Sequence, residues 1–317
     1  MATIETALGA IPESALGITL SHEHVLVFMG AENHVYPWLF DWEQTRERVI
    51  RELTEAKAGG IATLIDLTTP DLGRDVRFVA EVAEASSMNV VVATGIWRDV
   101  PRSFWERDPD KIADIFVREI EVGIGDTDIK AGVIKVANDA EGVTPQAEPV
   151  LRGAARALIR TGCPISTHQW APKEVGRRQV EIFQEEGAPM ERICIGHSAA
   201  TTDVDYLKEL LNAGVYLSMD RYPGRPGRPD WRQRNATVKA LIESGWTHRL
   251  MLGHDYAPGP VMAGVEAPEA KRSGYLHLAD VALPALRNEG VSDEDIDTML
   301  RDVPRKFLTG KNSQRPA

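Results

Sequence analysis

Short apolar runs alternate with longer amphipathic stretches along most of the chain. The runs cover residues 17–24, 60–68, 89–95, 131–136, 163–168, 192–197, 214–220 and 249–255. Each is rich in β-branched or aliphatic residues and short enough for a strand buried on both faces. Between them, apolar residues recur at helical spacing over 45–58, 75–85, 109–121, 147–161, 177–186, 203–213 and 237–244, and further helices are expected at 276–287 and 292–300. Gly59, Gly162, Gly187, Gly214 and Gly245 follow these stretches, where a helix end calls for positive φ. Eight strands, each followed by a helix, predict a single (β/α)8 TIM barrel domain over residues 1–317. A doubly wound open sheet offers no reason for eight units, and the chain lacks a glycine-rich phosphate fingerprint.

Composition narrows the function. The 317 residues are 43% hydrophobic and 26% charged, enough for a large core. With 36 Lys+Arg against 47 Asp+Glu the net charge is −11, which argues against nonspecific nucleic-acid binding. The two cysteines, Cys163 and Cys194, sit in apolar runs and read as core, not as a disulfide framework or a thiolate metal site. No apolar run nears the roughly 18 residues of a membrane span. The first residues show no signal-peptide pattern, so a soluble, cytoplasmic protein is expected.

The chemistry gathers at the C-terminal ends of the predicted strands, where barrel enzymes carry their active sites. These ends hold His22 and His24, Asp66, Trp97, Lys135, His168, His197, Asp220-Arg221 and His254-Asp255, so five of the eight histidines fall there. Taken alone, each reads more simply as a packed or hydrogen-bonded residue; their alignment reverses that judgement. His22 and His24 are two apart, so on a strand both imidazoles point to one face and form half of a metal site. Glu23, between them, faces the other way and suits a structural role. His254 likewise points away from a site that Asp255 faces. Lys135, inside an apolar strand, reaches solvent, pairs with Asp66, or becomes a carbamate that bridges metals. His34, His248 and His277 lie away from strand ends and read as structural or surface residues.

Ser21-His22-Glu23-His24, Ile134-Lys135-Val136, Thr167-His168, Ile195-Gly196-His197-Ser198 and Gly253-His254-Asp255 together resemble the motif set of the phosphotriesterase family, within the amidohydrolase superfamily. The resemblance runs from about Gly17 to Leu308. It implies two divalent metal ions, one held by His22, His24 and Asp255 and the other by His168 and His197. An N6-carboxylated Lys135 and a hydroxide would bridge them. Zinc suits these ligands, with cobalt, manganese or iron as alternatives. The bridging hydroxide would attack a carbonyl carbon or phosphorus, and Asp255 would take the proton. The resemblance also implies a homodimer.

Asp220-Arg221-Tyr222 resembles the lactonase branch of the family, in which Asp-Arg-Tyr replaces the Asp-His of phosphotriesterases proper. Ala200 stands where the family usually has an aspartate, three residues after the last histidine ligand, so both ends of a His-Asp proton relay are missing. Arg221 is assigned to catalysis beside Asp255, and Trp97, Arg98, Arg221 and Tyr222 to the substrate. Trp97-Arg98-Asp99 departs from the aromatic run of lactonases. Arg221, with Arg98, would favour a substrate bearing a carboxylate, phosphate or polar head group. Arg225, Arg228 and Arg232 read as a solvated loop, and residues 257–271 as a substrate lid. The expected activity is hydrolysis of a small-molecule lactone or ester, with weak promiscuous organophosphate (aryldialkylphosphatase) hydrolysis. A carboxylic ester or N-acyl amide hydrolase is the alternative within the family. A non-catalytic metal-binding barrel is the alternative outside it.

Overall fold

The structure, a computed structural model, describes residues 2–265 and 272–310. An antiparallel hairpin, β1 (Thr3–Thr6) and β2 (Gly9–Pro12), precedes the main sheet. Eight parallel strands follow: β3 (Ile18–Glu23), β4 (Ile61–Asp66), β5 (Asn89–Ile96), β6 (Val133–Ala137), β7 (Ile165–His168), β8 (Ile193–Ile195), β9 (Tyr216–Met219) and β10 (Leu250–Leu252). They lie side by side in chain order, with helices between them, as a (β/α)8 TIM barrel. Each of these eight strands overlaps one of the apolar runs.

β10 and β3 share no regular ladder among the described residues, and single hydrogen bonds close the seam between them. Asp255 N donates to His22 O at 2.8 Å, His24 N to Tyr256 O at 2.9 Å, and Ser21 Oγ to Leu252 O at 3.0 Å. The first and last strands are thereby held together at the end that carries the histidines.

Aspartates start the outer helices. Asp41, Asp75, Asp108, Asp203 and Asp230 each accept backbone N–H groups at the N-termini of Trp42–Ala58, Val76–Ser86, Pro109–Glu121, Val204–Asn212 and Trp231–Glu243. The last of these starts six residues before the expected 237, because Asp230 and Gln233 form a reciprocal capping box. Positive φ occurs at Gly162, Gly187, Gly214 and Gly245 as expected, but Gly59 has φ −77° and Gly60 takes the turn at +96°. The expected 276–287 helix is broken into a short turn, a wider π-type turn over Leu278–Ala282 and an α-helix over Leu283–Asn288. The hairpin and a terminal helix, Val303–Thr309, escape the periodicity reading because neither is long enough to show a period.

Two apolar regions divide the interior. One fills the space between strands and helices, and includes Val49, Leu53, Val82, Phe116, Leu158, Phe183 and Leu210. The other fills the barrel itself: Ile65, Val91, Val133, Cys194, Tyr216 and Met251 point inward, plugged by Ile4 from β1 and by Val303, Phe307 and Leu308 from the terminal helix. Cys163 and Cys194 are both buried and unpaired, as expected. No helix among the described residues is long and apolar enough to cross a membrane.

Candidate metal centre

Alternation along the strands carries the inward face from apolar to polar. Val133 faces the barrel plug, so Lys135, two residues on, faces the space above it. Tyr216, Ser218 and Asp220 rise in the same way, and Ser218 Oγ donates to Asp220 Oδ2 at 3.0 Å. Gly95 lies beside Lys135 in the register of β5 and β6 with φ +113°; a Cβ there would sit 1.9 Å from Lys135 O, so only glycine fits.

His22, His24, Lys135, His168, His197 and Asp255 all line one cavity of about 500 Å³, together with Trp97 and Arg221. Lys135 is 1% exposed, so it does not reach solvent. Nor does it pair with Asp66: its Nζ lies 3.0 Å from His22 Nε2 and 3.4 Å from Thr167 O. Asp66 instead accepts from Thr68 at 2.5 Å.

Hydrogen bonds behind the histidines decide which ring nitrogen carries the proton. His24 Nδ1–H donates to Thr68 Oγ1 at 2.9 Å, since that hydroxyl spends its own hydrogen on Asp66. His24 Nε2 is therefore a bare acceptor, yet it faces Asp255 Oδ1 at 3.3 Å, acceptor against acceptor. His197 Nδ1–H donates to Asp220 Oδ1 at 2.9 Å, which leaves Nε2 bare. That nitrogen faces His168 Nδ1 at 2.8 Å, and His168 Nδ1 is itself an acceptor for Trp97 Nε1–H at 3.3 Å. Opposed lone pairs at such distances call for a positive charge between them. Protons cannot readily supply it: burial, with Lys135 adding to it, pushes His22 down to about 4. Burial likewise pushes His168 down to about 4 and His197 well below the usual imidazole range. Ligand atoms of His22, His24 and Asp255 lie within 4.8 Å of one another. Neutral imidazoles and a carboxylate with this geometry fit a divalent cation.

Asp220 also falls within reach of His22 and His197. It meets them from behind, with Oδ2 2.9 Å from His22 Nδ1 and Oδ1 on His197 Nδ1, so it orients the rings and leaves their Nε2 atoms facing the cavity. Sequence reasoning placed Asp220 at a strand end but gave it no role. The available signal was its spacing from Ser218 on the inward face. Glu23 and His254 behave as expected. The fully buried Glu23 carboxylate accepts from His254 Nδ1 at 2.9 Å, from His254 N at 2.7 Å and from Tyr256 N at 3.1 Å. This clamps both backbone neighbours of Asp255.

Among the described residues, three of the five non-glycine residues with positive φ are His197 at 55°, Arg221 at 68° and Asp255 at 54°. Each sits where the chain leaves a strand for the site, and such backbone costs about 1 kcal/mol or more per residue. Arg221 Nε donates to Asp255 Oδ2 at 3.0 Å.

The substrate assignments divide. Trp97 and Arg221 line the cavity, Tyr222 lines a second cavity beside it, and Arg98 lines neither. Arg98 stacks over the Trp97 ring and pairs with Asp139 at 2.6 Å. Tyr222 is buried, with its hydroxyl on Asn235 Oδ1 at 3.0 Å. Arg232 is exposed over Trp231 but lies in the first turn of the helix Trp231–Glu243 and not in a loop; Arg225 lines the cavity of the histidines as well as the one beside it, and Arg228 lines the latter. Residues 257–265 leave β10 and contribute Ala257 to the cavity wall, while 266–271 of the expected lid lie outside the described residues.

The barrel and its strand-end histidines and aspartate define a candidate metal centre. A sequence model of the Phosphotriesterase family matches residues 2–308, and the chain belongs to that family. It is 41% identical to a Phosphotriesterase homology protein of Mycobacterium tuberculosis, over 97% of this chain and 98% of that one. It is 35% identical to the Aryldialkylphosphatase of Saccharolobus solfataricus, over 95% and 97% of the two chains. An N-acetyltaurine hydrolase of Dictyostelium discoideum is 29% identical over 83% of this chain and 73% of the other. The solved structure of the phosphotriesterase from Mycobacterium tuberculosis superposes with a TM-score of 0.89 at 40% identity, covering 96% of this chain and 98% of that one.

Proposed function

We propose that the protein is a binuclear-metal hydrolase of small-molecule lactones, with weak organophosphate hydrolysis as a side activity. The observation that carries this reading is the set of bare acceptors converging in one buried cavity: His24 and His197 Nε2, His168 Nδ1 and Asp255 Oδ1. His22, His24 and Asp255 would hold one ion, His168 and His197 the other, with Lys135 between them as a carbamate. Zinc is the best match to this donor set, with cobalt, manganese and iron as alternatives. Such a pair of ions supplies a hydroxide nucleophile and polarises the substrate oxygen.

The chain's own residues do the rest. Lys135 is buried and its amine is pushed down to about 8 by that burial, so a neutral form able to take up CO2 is accessible near neutral pH. Asp255 accepts the proton released by the nucleophile, and Arg221 holds its Oδ2 in place. The other guanidinium nitrogens of Arg221 have no hydrogen-bond partner among the described residues and are available to a substrate oxygen. Trp97 fixes His168 and forms an apolar wall. The Arg221 and Ala200 positions leave no His-Asp relay for a phosphotriester leaving group, which supports the lactonase reading.

Hydrolysis of a panel of lactones of several ring sizes, aryl esters, N-acyl amides and a paraoxon-like triester tests this. Lactones are expected to give the highest kcat/KM, and triesters a weak but metal-dependent rate. A higher kcat/KM for N-acyl amides would replace the lactonase reading with the amide one, which the N-acetyltaurine hydrolase relative favours. About two metals per chain with no hydrolysis of any panel member would sink both. We also propose a homodimer: Met29, Val35, Tyr36, Trp38 and Leu39 are exposed on the segment after β3. Sedimentation of Trp38→Glu is expected to show a monomer, and an unchanged dimer would move the interface elsewhere.

A further inference from the structure

A second cavity, of about 310 Å³, adjoins the metal centre; Arg221, Arg225 and Asp255 line both. Its remaining charged wall is Arg228 and Arg234, so four guanidiniums face one carboxylate that the site itself uses. None of Arg225, Arg228 and Arg234 forms an ion pair with a carboxylate among the described residues. Arg234 is 1% exposed, its Nη1 donates to Ala199 O and to Asp220 O, and its Nε has no partner. Asp220, the carboxylate that acts most on Arg234, is already engaged by His22, His197 and Ser218, so a buried cation with an unmet donor remains costly, and an anion arriving beside it lowers that cost. Arg228 stacks 3.9 Å above the Trp170 ring, which fixes its plane while its side-chain N–H groups make no hydrogen bond to described residues. Ala200 lines the same wall, at the position where the family resemblance expects an aspartate. No carboxylate stands at that position to meet these arginines.

We propose that this cavity is an oxyanion subsite: the substrate hydrolysed at the neighbouring centre carries a compact organic anion, a carboxylate or a sulfonate, that seats among Arg225, Arg228 and Arg234. Planar guanidiniums pair with the oxygens of either group through paired N–H donors. Arg221, at the junction, faces both the anion and the reacting end. The subsite rests on the hydrolase reading for its purpose, but not for its ability to bind an anion.

The test uses metal-loaded protein and four probes. Butyrate and propane-1-sulfonate are expected to raise the melting temperature and to inhibit hydrolysis of 4-nitrophenyl butyrate competitively, whereas butyramide does neither. In the double variant Arg225→Gln/Arg228→Gln, at the surface and so tolerant of change, the anions are expected to bind about tenfold or more weakly. Arg234→Gln should act in the same direction. Equal shifts with butyramide, or anion binding unaltered in the double variant, would overturn the subsite and place the anions on the metals or elsewhere. As the fourth probe, 4-nitrophenyl hemisuccinate is expected to exceed 4-nitrophenyl butyrate in kcat/KM by about tenfold, a ratio that collapses in the double variant. Hydrolysis of both esters without anion binding removes the subsite alone. Arginine-dependent anion binding without any hydrolysis upholds the subsite and removes the hydrolase reading.

Discussion

The two ends of the barrel interior are built by the same strands and the same inward face, yet they obey opposite rules. At the lower end Val133, Cys194, Tyr216 and Met251 meet Ile4 and Phe307 in close apolar packing. At the upper end Lys135, His197 and Asp220 stand one strand step higher, buried but charged or polar, with acceptors facing acceptors. The lower end is apolar side chain against apolar side chain, apart from the unpartnered Tyr216 hydroxyl, and its burial stabilises the fold. The upper end violates several local preferences, through dehydrated titratable groups and left-handed backbone at His197, Arg221 and Asp255. Such costs persist only where the surrounding scaffold enforces them, which is what the lower end and the stitched seam do.

Removing the amine at the upper end should have the largest effect. Lys135→Ala is expected to lose bound metal and hydrolysis together, to the detection limit, while remaining folded; metal analysis alongside circular dichroism checks it. Full metal content in that variant would refute a bridging lysine. At the lower end, Phe307→Ala should cost about 3–5 kcal/mol of stability, read from the denaturant midpoint, with metal content per folded molecule unchanged. Loss of metal at equal folded fraction would show the two ends to be coupled.

Asp220→Asn sharpens the contrast at intermediate size. It turns one of the two oxygens that orient His22 and His197 into a donor, and should weaken metal affinity by about 10–100-fold with little loss of stability. Competition with a chelator measures it, and wild-type affinity would mean that the rings are held by packing alone. The smallest change is expected from Arg221→Gly, which relieves left-handed backbone but adds chain entropy, for a net gain under about 1 kcal/mol. The same variant should lower hydrolysis. A stability loss would show that the Arg221–Asp255 contact outweighs the strain.

Much of this was legible beforehand. Eight apolar runs at strand length, separated by helical periodicity, lead to a barrel, and the two-residue spacing of His22 and His24 puts both rings on one face. The errors fall where periodicity carries no information. Short elements such as the β1–β2 hairpin have too few residues to show a pattern. The helix at Trp231–Glu243 begins early because a cap overrides the arginine-rich composition before it. Arg98 reads as a mouth residue but is drawn over Trp97 by Asp139, and Arg225 and Arg228 read as solvated but curve back over the site.

By itself, then, the sequence determined the barrel, the strand end at which each metal-ligand candidate stands, and the face to which it points, because these follow from a period of two along local chain. Only the tertiary structure decided which ring nitrogens are bare, that Asp220 stands behind two histidines, and that Glu23 clamps the turn at Asp255. It also decided that the arginines after β9 enclose a cavity with no carboxylate of their own. Each of these depends on contacts between groups brought together from distant strands, as when Glu23 meets His254 231 residues away. No local pattern encodes such a distance; closing the barrel does.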